Sequence, residues 1–170
     1  PVIHCTFRKT VFGNTLIAAT ERGVCAVRFG TKKLLQEQFA ERYPAARIVY
    51  SDKEIADWAD RVAVIIDTPT AKINVPLDPH GTPFQLEVWA ALQRIPLGET
   101  ATYARIAQLI GRPKACRAVA NACGANRLAI LIPCHRVVRG DGSLGGYYWG
   151  VDMKKKLLQR EADCCAKSSR

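Results

Sequence analysis

Cys134, His135 and Arg136 stand side by side after Pro133, and no other stretch of this sequence is better suited to covalent chemistry. A cysteine attacks as its thiolate, and an unperturbed thiol, with a pKa of about 8.5, needs a proton acceptor or a positive neighbour to ionise near neutral pH. His135 can be the acceptor and Arg136 the positive neighbour. In an extended segment, however, adjacent side chains point to opposite faces, so His135 reaches the Cys134 sulfur only through a turn or a bridging water. The residues alone leave two readings open, a nucleophile with its base or two neighbours by coincidence. A base of this kind also needs a carboxylate to orient its ring. Glu161 is one of only six acidic residues after position 80, although from the residues alone a helix surface position is the better reading of it.

The other cysteines, Cys5, Cys25, Cys116, Cys123, Cys164 and Cys165, bring the total to seven, an odd set with no C-x-x-C pair. That is unlike a secreted disulfide framework and fits a reducing compartment. His4, Cys5, Cys25 and His80 are too scattered to read as a zinc site, so no metal and no cofactor are expected. Net charge is +10, and the excess lies in the second half: residues 81–170 hold 14 Lys/Arg against 6 Asp/Glu, while residues 1–80 hold 11 against 9. Such a field attracts a polyanion, of which nucleic acid is the commonest inside cells; a solvated basic surface is the alternative. With 170 residues, 48% hydrophobic and 24% charged, the chain can bury a core and is not a disordered segment. No apolar run is long enough to span a bilayer, and no basic-then-apolar leader is visible, so a soluble, cytoplasmic protein is expected; it is also expected to be a monomer. Pro1 in place of Met implies either processing or a piece of a longer chain.

Several elements must position these groups. Val2 to Phe7, Thr15 to Thr20 and Val24 to Phe29 alternate with turn residues and predict an antiparallel strand trio. Residues 33–43 and 55–66 have helical period. The Pro76, Pro79, Gly81, Pro83 cluster marks a boundary between subdomains 1–80 and 81–163, and 164–170 reads as a flexible, frayed tail. Thr82, Pro83 and Gln85 form a capping-box signature for a helix to about Gln93. Thr102 can cap a second helix, 103–110, which Gly111 stops; a third, 114–123, is rich in alanine. Two short helices joined by a tight turn in a basic half resemble a helix-turn-helix, although an ordinary helical hairpin has the same signature. The apolar run Leu128 to Ile132 would deliver Cys134 at its end. A glycine-rich loop, 140–146, leads to Tyr147, Tyr148 and Trp149, and a last helix capped by Asp152 runs from Met153 to about Ala162.

Pro133-Cys134-His135-Arg136-Val137 resembles the active-site motif of the O6-alkylguanine-DNA alkyltransferases, the methylated-DNA–protein-cysteine methyltransferases. The resemblance extends with its spacing through Gly98-Glu99-Thr100, Tyr103, Ile106-Ala107, Arg117-Ala118-Val119, Asn126 and Glu161, covering residues 82–162. Arg139-Gly140-Asp141-Gly142 and Tyr147-Tyr148-Trp149-Gly150-Val151 are most similar to the C-terminal domain of the bacterial Ada proteins.

The resemblance implies an α/β fold: a ribonuclease-H-like N-terminal subdomain with a small antiparallel sheet, then a mostly helical, winged-helix-like subdomain carrying the helix-turn-helix. It implies single-turnover DNA repair, with Cys134 taking the alkyl group from O6 of guanine in double-stranded DNA. His135 would act as base through water, Glu161 would orient it, and Tyr103 would donate to the leaving guanine. Arg117 would enter the vacated base stack, with Ala118 on a bare helix in the minor groove. Arg112 and Lys114 would meet phosphates, and Asn126 would pin the turn before the active-site run. Tyr147 and Trp149 would wall the alkyl pocket, and Lys154 would add positive charge. Each has a plainer reading as packing or surface charge. Two rivals remain: a lesion-recognition protein that does no chemistry, and a thiol hydrolase with no need of DNA.

Overall fold

The computed structural model describes the backbone of residues 1–168 and the side chains of residues 1–167. Two compact units make up the chain, Pro1–His80 with Arg127–Ala129 and Gly81–Asn126 with Ile130–Arg170.

The first unit is a four-stranded sheet with two helices. Strands β1 (Val2–Thr10), β2 (Gly13–Ala19) and β3 (Val24–Phe29) form the expected antiparallel trio, with Thr6 opposite Ile17 and Ile17 opposite Val27. Helices α1 (Lys32–Arg42) and α2 (Ala56–Asp67) flank a fourth strand, β4 (Arg47–Tyr50). β4 lies parallel to β1, with Ile3 opposite Ile48, so the sheet is mixed, in the order β3-β2-β1-β4. Its alternation decides what each face meets. Ile3 and Cys5 point to the face where Leu35 and Phe39 of α1 pack with Leu16, Ala18, Cys25 and Ala26. Burying Leu35 and Phe39 contributes about 1.5–3 kcal/mol each. Arg8, on the alternate face of β1, pairs with Asp60 of α2 at 2.9 Å, and Ala59, Val62 and Ile66 bury the apolar stripe of that helix.

The second unit is mostly helical. Thr82 caps α3 (Pro83–Leu92) through a full capping box: Gln85 N–H donates to the Thr82 side chain, and the Gln85 side chain accepts from Thr82 N–H. After the short strand β5 (Ala101–Thr102), Thr102 caps α4 (Tyr103–Leu109). Gly111, at φ 75°, ends that helix. Helix α5 (Cys116–Gly124) starts two residues later than its sequence suggests, so Lys114 precedes it. Trp89 of α3 donates its indole N–H to the Ala122 carbonyl at 2.8 Å, joining α3 to α5. A single 3₁₀ turn, Cys134–Arg136, leads into β6 (Val137–Val138), which pairs in parallel with β5. Helix α6 (Val151–Ser168) closes the unit.

Three expectations need correction. Arg127–Ala129 group with the first unit, because Val27 N–H donates to the Arg127 carbonyl at 2.9 Å and Leu128 bridges Val27. The apolar run 128–132 is not extended: Ile130 has φ 71°, a left-handed conformation for a β-branched residue that costs about 1–3 kcal/mol and turns the chain before the active-site segment. The supposed flexible tail is helix as far as Ser168, and Asp152 lies in its first turn, not at its cap. Cys165 packs on the turn after α3, its thiol 3.4 Å from the Leu97 carbonyl; Gly98, at φ 84°, permits that approach because a Cβ there would collide with the sulfur. Ser169 and Arg170, also assigned to that tail, lie outside the described residues.

Candidate active site

Cys134 opens the 3₁₀ turn and is 8% exposed. A turn replaces the extended geometry expected from sequence: Arg136 N–H closes it on the Pro133 carbonyl at 3.0 Å, and Cys134 N–H donates to the Ile132 carbonyl just before it at 2.8 Å. Asn126, buried at the end of α5, holds this segment with one amide group: Nδ2 donates to the Ile132 carbonyl at 2.8 Å and to Cys134 Sγ at 3.3 Å. Burial pushes the Cys134 thiol above its ordinary pKa, while the Asn126 hydrogen bond and the Lys154 charge pull it back. At rest the sulfur keeps its proton.

His135, the next residue, is 1% exposed, and its Nε2 meets the Glu161 carboxylate at 2.7 Å. Burial pushes the imidazole below its ordinary value, more strongly than Glu161 raises it, so the ring is neutral near pH 7. Burial also works against the Glu161 charge, but hydrogen bonds from His135 and Arg136 outweigh it and hold the carboxyl below the usual range. An ionised Glu161 accepts Nε2–H and thereby leaves the lone pair on Nδ1, which has no hydrogen-bond partner among the described residues. The buried base nitrogen is thus available. Arg136, expected as the positive neighbour of the thiol, turns the other way: Nε donates to Glu161 at 2.9 Å and Nη1 to the Ile95 carbonyl at 2.7 Å.

Helix α6 supplies two of the buried polar groups from one face. Lys154, Leu157 and Glu161 are spaced i, i+3, i+7, and all three are buried. Lys154 Nζ donates to the carbonyls of Val137 at 2.6 Å, Leu144 at 2.5 Å and Gly146 at 3.2 Å. It therefore ties β6 to the far end of the glycine-rich loop, a larger role than the added charge expected of it. Its ammonium also lies 6.0 Å from the centre of the Tyr103 ring. Tyr103 begins α4, half-buried, and burial pushes its phenol up, so it remains a proton donor at neutral pH. Gly145, at φ 73°, lets the loop come this close, since a Cβ there would sit 3.0 Å from the Tyr103 hydroxyl. Tyr147 places its ring 6.5 Å from that of His135, edge to face, with a buried hydroxyl that has no hydrogen-bond partner among the described residues. Trp149 is half-buried and stacks edge-on with exposed Tyr148 at 4.7 Å.

The remaining candidates lie on the outer side of the helical pair. Arg112, Lys114, Arg117, Ala118 and Ala120 are exposed, while Val119, Ala122 and Cys123 bury the opposite face of α5. Arg112 lies 3.9 Å from Glu87, and its guanidinium stacks over Phe84 at 5.5 Å. In the first unit, His80 bonds to Asp78 at 3.0 Å, and burial pushes the Cys25 thiol up to about 12, which opposes the thiolate a metal would need. No group of three or more described His, Cys, Asp or Glu residues is arranged to hold a metal ion, and no described helix is long and apolar enough to cross a membrane.

A buried cysteine held by an asparagine amide, followed by a neutral histidine on a buried glutamate, defines a class of thiol acceptor with its own base. Residues 83–163 match the 6-O-methylguanine DNA methyltransferase DNA-binding domain. A Methanosarcina acetivorans methylated-DNA–protein-cysteine methyltransferase is 53% identical over 159 residues, 92% of this chain and 96% of that protein. The Escherichia coli bifunctional transcriptional activator/DNA repair enzyme Ada is 47% identical over 152 residues, 89% of this chain but 43% of Ada. This chain spans less than half the length of the Ada relatives it matches. The structure is similar to Mycobacterium tuberculosis O6-methylguanine methyltransferase, with a TM-score of 0.77 at 32% identity, covering 95% of this chain and 93% of that one. It is also similar to the same organism's OGT in complex with DNA, with a TM-score of 0.76 at 31% identity, over 94% and 93% of the two chains. The chain belongs to the methylated-DNA–protein-cysteine methyltransferase family.

Proposed function

We propose that this chain repairs DNA by moving an alkyl group, chiefly methyl, from O6 of guanine in a duplex onto Cys134, once per molecule. The observation that carries the reading is the neutral His135, its Nε2 fixed by Glu161 and its Nδ1 open, on the residue after a buried thiol. His135 Nδ1 takes the thiol proton through a bridging water, and the Cys134 sulfur attacks the alkyl carbon. The carbon–O6 bond breaks, its electron pair stays on guanine, and the Tyr103 hydroxyl donates to the ring nitrogen that gathers the charge. A thioether remains. Nothing in the site hydrolyses it, so the reaction is stoichiometric and the enzyme is suicidal.

A buried sulfur cannot reach O6 inside a duplex, so the nucleotide flips out at a cost of about a few kcal/mol, less for a mispaired lesion. The exposed, small-residue face of α5 suits the minor groove, with Arg117 entering the stack and Arg112 and Lys114 on phosphates. Arg112 already lies near Glu87, so it would exchange that exposed carboxylate for a phosphate. Tyr147 and Trp149 wall the alkyl pocket. The same reading makes the protein a cytoplasmic monomer, consistent with seven unbridged cysteines.

Intact-mass measurement after incubation with a duplex carrying one O6-methylguanine tests the reaction. One methyl gained per protein, with no further turnover, supports it. Tight binding to the lesion without mass gain favours a lesion-recognition protein instead. Because Cys134 is closely packed, the methylated protein is expected to melt at a lower temperature; an unchanged melting temperature contradicts that part of the reading.

A further inference from the structure

Arg139 has no place in the chemistry derived above, yet its position is tightly specified. It leaves β6 and enters a short turn in which its N–H donates to the Ser143 carbonyl at 3.0 Å and its carbonyl accepts from Gly142 N–H at 3.1 Å. Asp141 tightens the turn, accepting from Ser143 N–H at 2.9 Å and Ser143 Oγ at 2.6 Å. Just beyond, Lys154 clamps Leu144 and Gly146. The Arg139 stem and the Tyr103 hydroxyl converge on one point: a Cβ at Gly145 would lie 3.5 Å from Arg139 Cγ and 3.0 Å from that hydroxyl. The residue is exposed and forms no ion pair among the described residues. Asp141, the nearest carboxylate in sequence, is occupied by Ser143. The stem of a cationic side chain therefore stands beside Tyr103, and its guanidinium has no hydrogen-bond partner among the described residues.

We propose that Arg139 is a further DNA-binding residue, which grips a backbone phosphate of the extrahelical nucleotide at the rim of the Cys134 site. This rests on the alkyl-transfer reading, because only a flipped nucleotide brings a phosphate to the rim while its base reaches Tyr103. The charge is permanent and the donor fork matches two phosphate oxygens, so the contact would hold the nucleotide out rather than select the base. Glycines at 140 and 142 leave the turn open for a backbone to approach.

The test compares Arg139→Ala and Arg139→Lys with the parent protein on two substrates, a duplex with one O6-methylguanine and the free O6-methylguanine base, which has no phosphate. The Ala variant is expected to lose about tenfold in duplex rate and nothing on the free base, with Lys restoring part of the duplex rate. Binding of the duplex, measured in a Cys134→Ala background, should lose about one unit from its logarithmic salt dependence. An equal loss on both substrates would mean that Arg139 acts on Tyr103 or the fold, and an unchanged salt dependence would mean that it meets no phosphate; either overturns the proposal. A parent protein that methylates itself on neither substrate contradicts the alkyl-transfer reading itself.

Discussion

Cys25 and Cys134 are both buried, yet they sit in opposite chemical settings. In the first unit, Cys25 lies in the sheet core with Cys5, and burial pushes both thiols up to about 12, with the Asp78 charge adding to the effect on Cys25. In the second unit, burial acts on Cys134 in the same direction, but Asn126 donates to its sulfur and the Lys154 ammonium lies near. His135 beside it offers a free nitrogen, where Cys25 has a carboxylate that repels a thiolate. Burial alone makes an inert, packed sulfur. What distinguishes a reactive one is a donor aimed at the sulfur, a positive charge nearby and a neutral base whose other nitrogen is anchored.

The largest expected break in this contrast comes from the sulfurs themselves. Cys134→Ala should abolish methyl transfer from a lesion duplex, whereas Cys25→Ala should leave the transfer rate within about twofold of the parent, read by mass gain against time. Next, Glu161→Gln removes the charge that orders His135 and pairs with Arg136. It should slow transfer by about 10²-fold or more, while lesion-duplex affinity changes little.

Lys154→Met sharpens the comparison from the side of the fold. Three carbonyls lose a buried charged donor, so unfolding stability should drop by about 2–4 kcal/mol and transfer should slow. Urea denaturation checks the first and single-turnover kinetics the second. A smaller effect should appear in acid. His135 is held below its ordinary pKa of 6.5 and Glu161 below its ordinary 4.5, so both contribute stability above those values and lose it as pH falls. The urea midpoint should therefore decline below about pH 6.5, and less steeply in His135→Asn. The smallest effect concerns the pocket wall: the parent should prefer methyl to benzyl groups, and Trp149→Gly should raise benzyl transfer about tenfold. Equal parent rates on both groups would contradict the role of Trp149.

The two units were also unequally legible from sequence. Local signals located α3 and α4, because Thr82 with Gln85 and Thr102 with Gly111 state where those helices start and stop. Strand β4 carries no such mark: its four residues are all partly exposed, so no alternation announces it, and it forms only because β1 offers a free edge. The run Leu128 to Ile132 is apolar throughout and looks extended, but tertiary packing forces Ile130 to turn. In the site, Cys134, His135 and Glu161 were readable through the family motif. The burial of Lys154 was not, since three consecutive lysines give no sign of which points inward; its i, i+3, i+7 spacing with Leu157 and Glu161 was the available clue. The turning of Arg136 away from the thiol depends on the 3₁₀ geometry at Cys134, which a Pro-Cys-His run does not declare.

The most direct test of the contrast between the two sulfur settings is peptide mapping by mass spectrometry after a stoichiometric reaction with a duplex carrying one labelled O6-methylguanine. One labelled methyl is expected on the peptide containing Cys134 and none on those containing Cys5, Cys25 or Cys123. Label spread over several cysteines, or found on any peptide lacking Cys134, would contradict it.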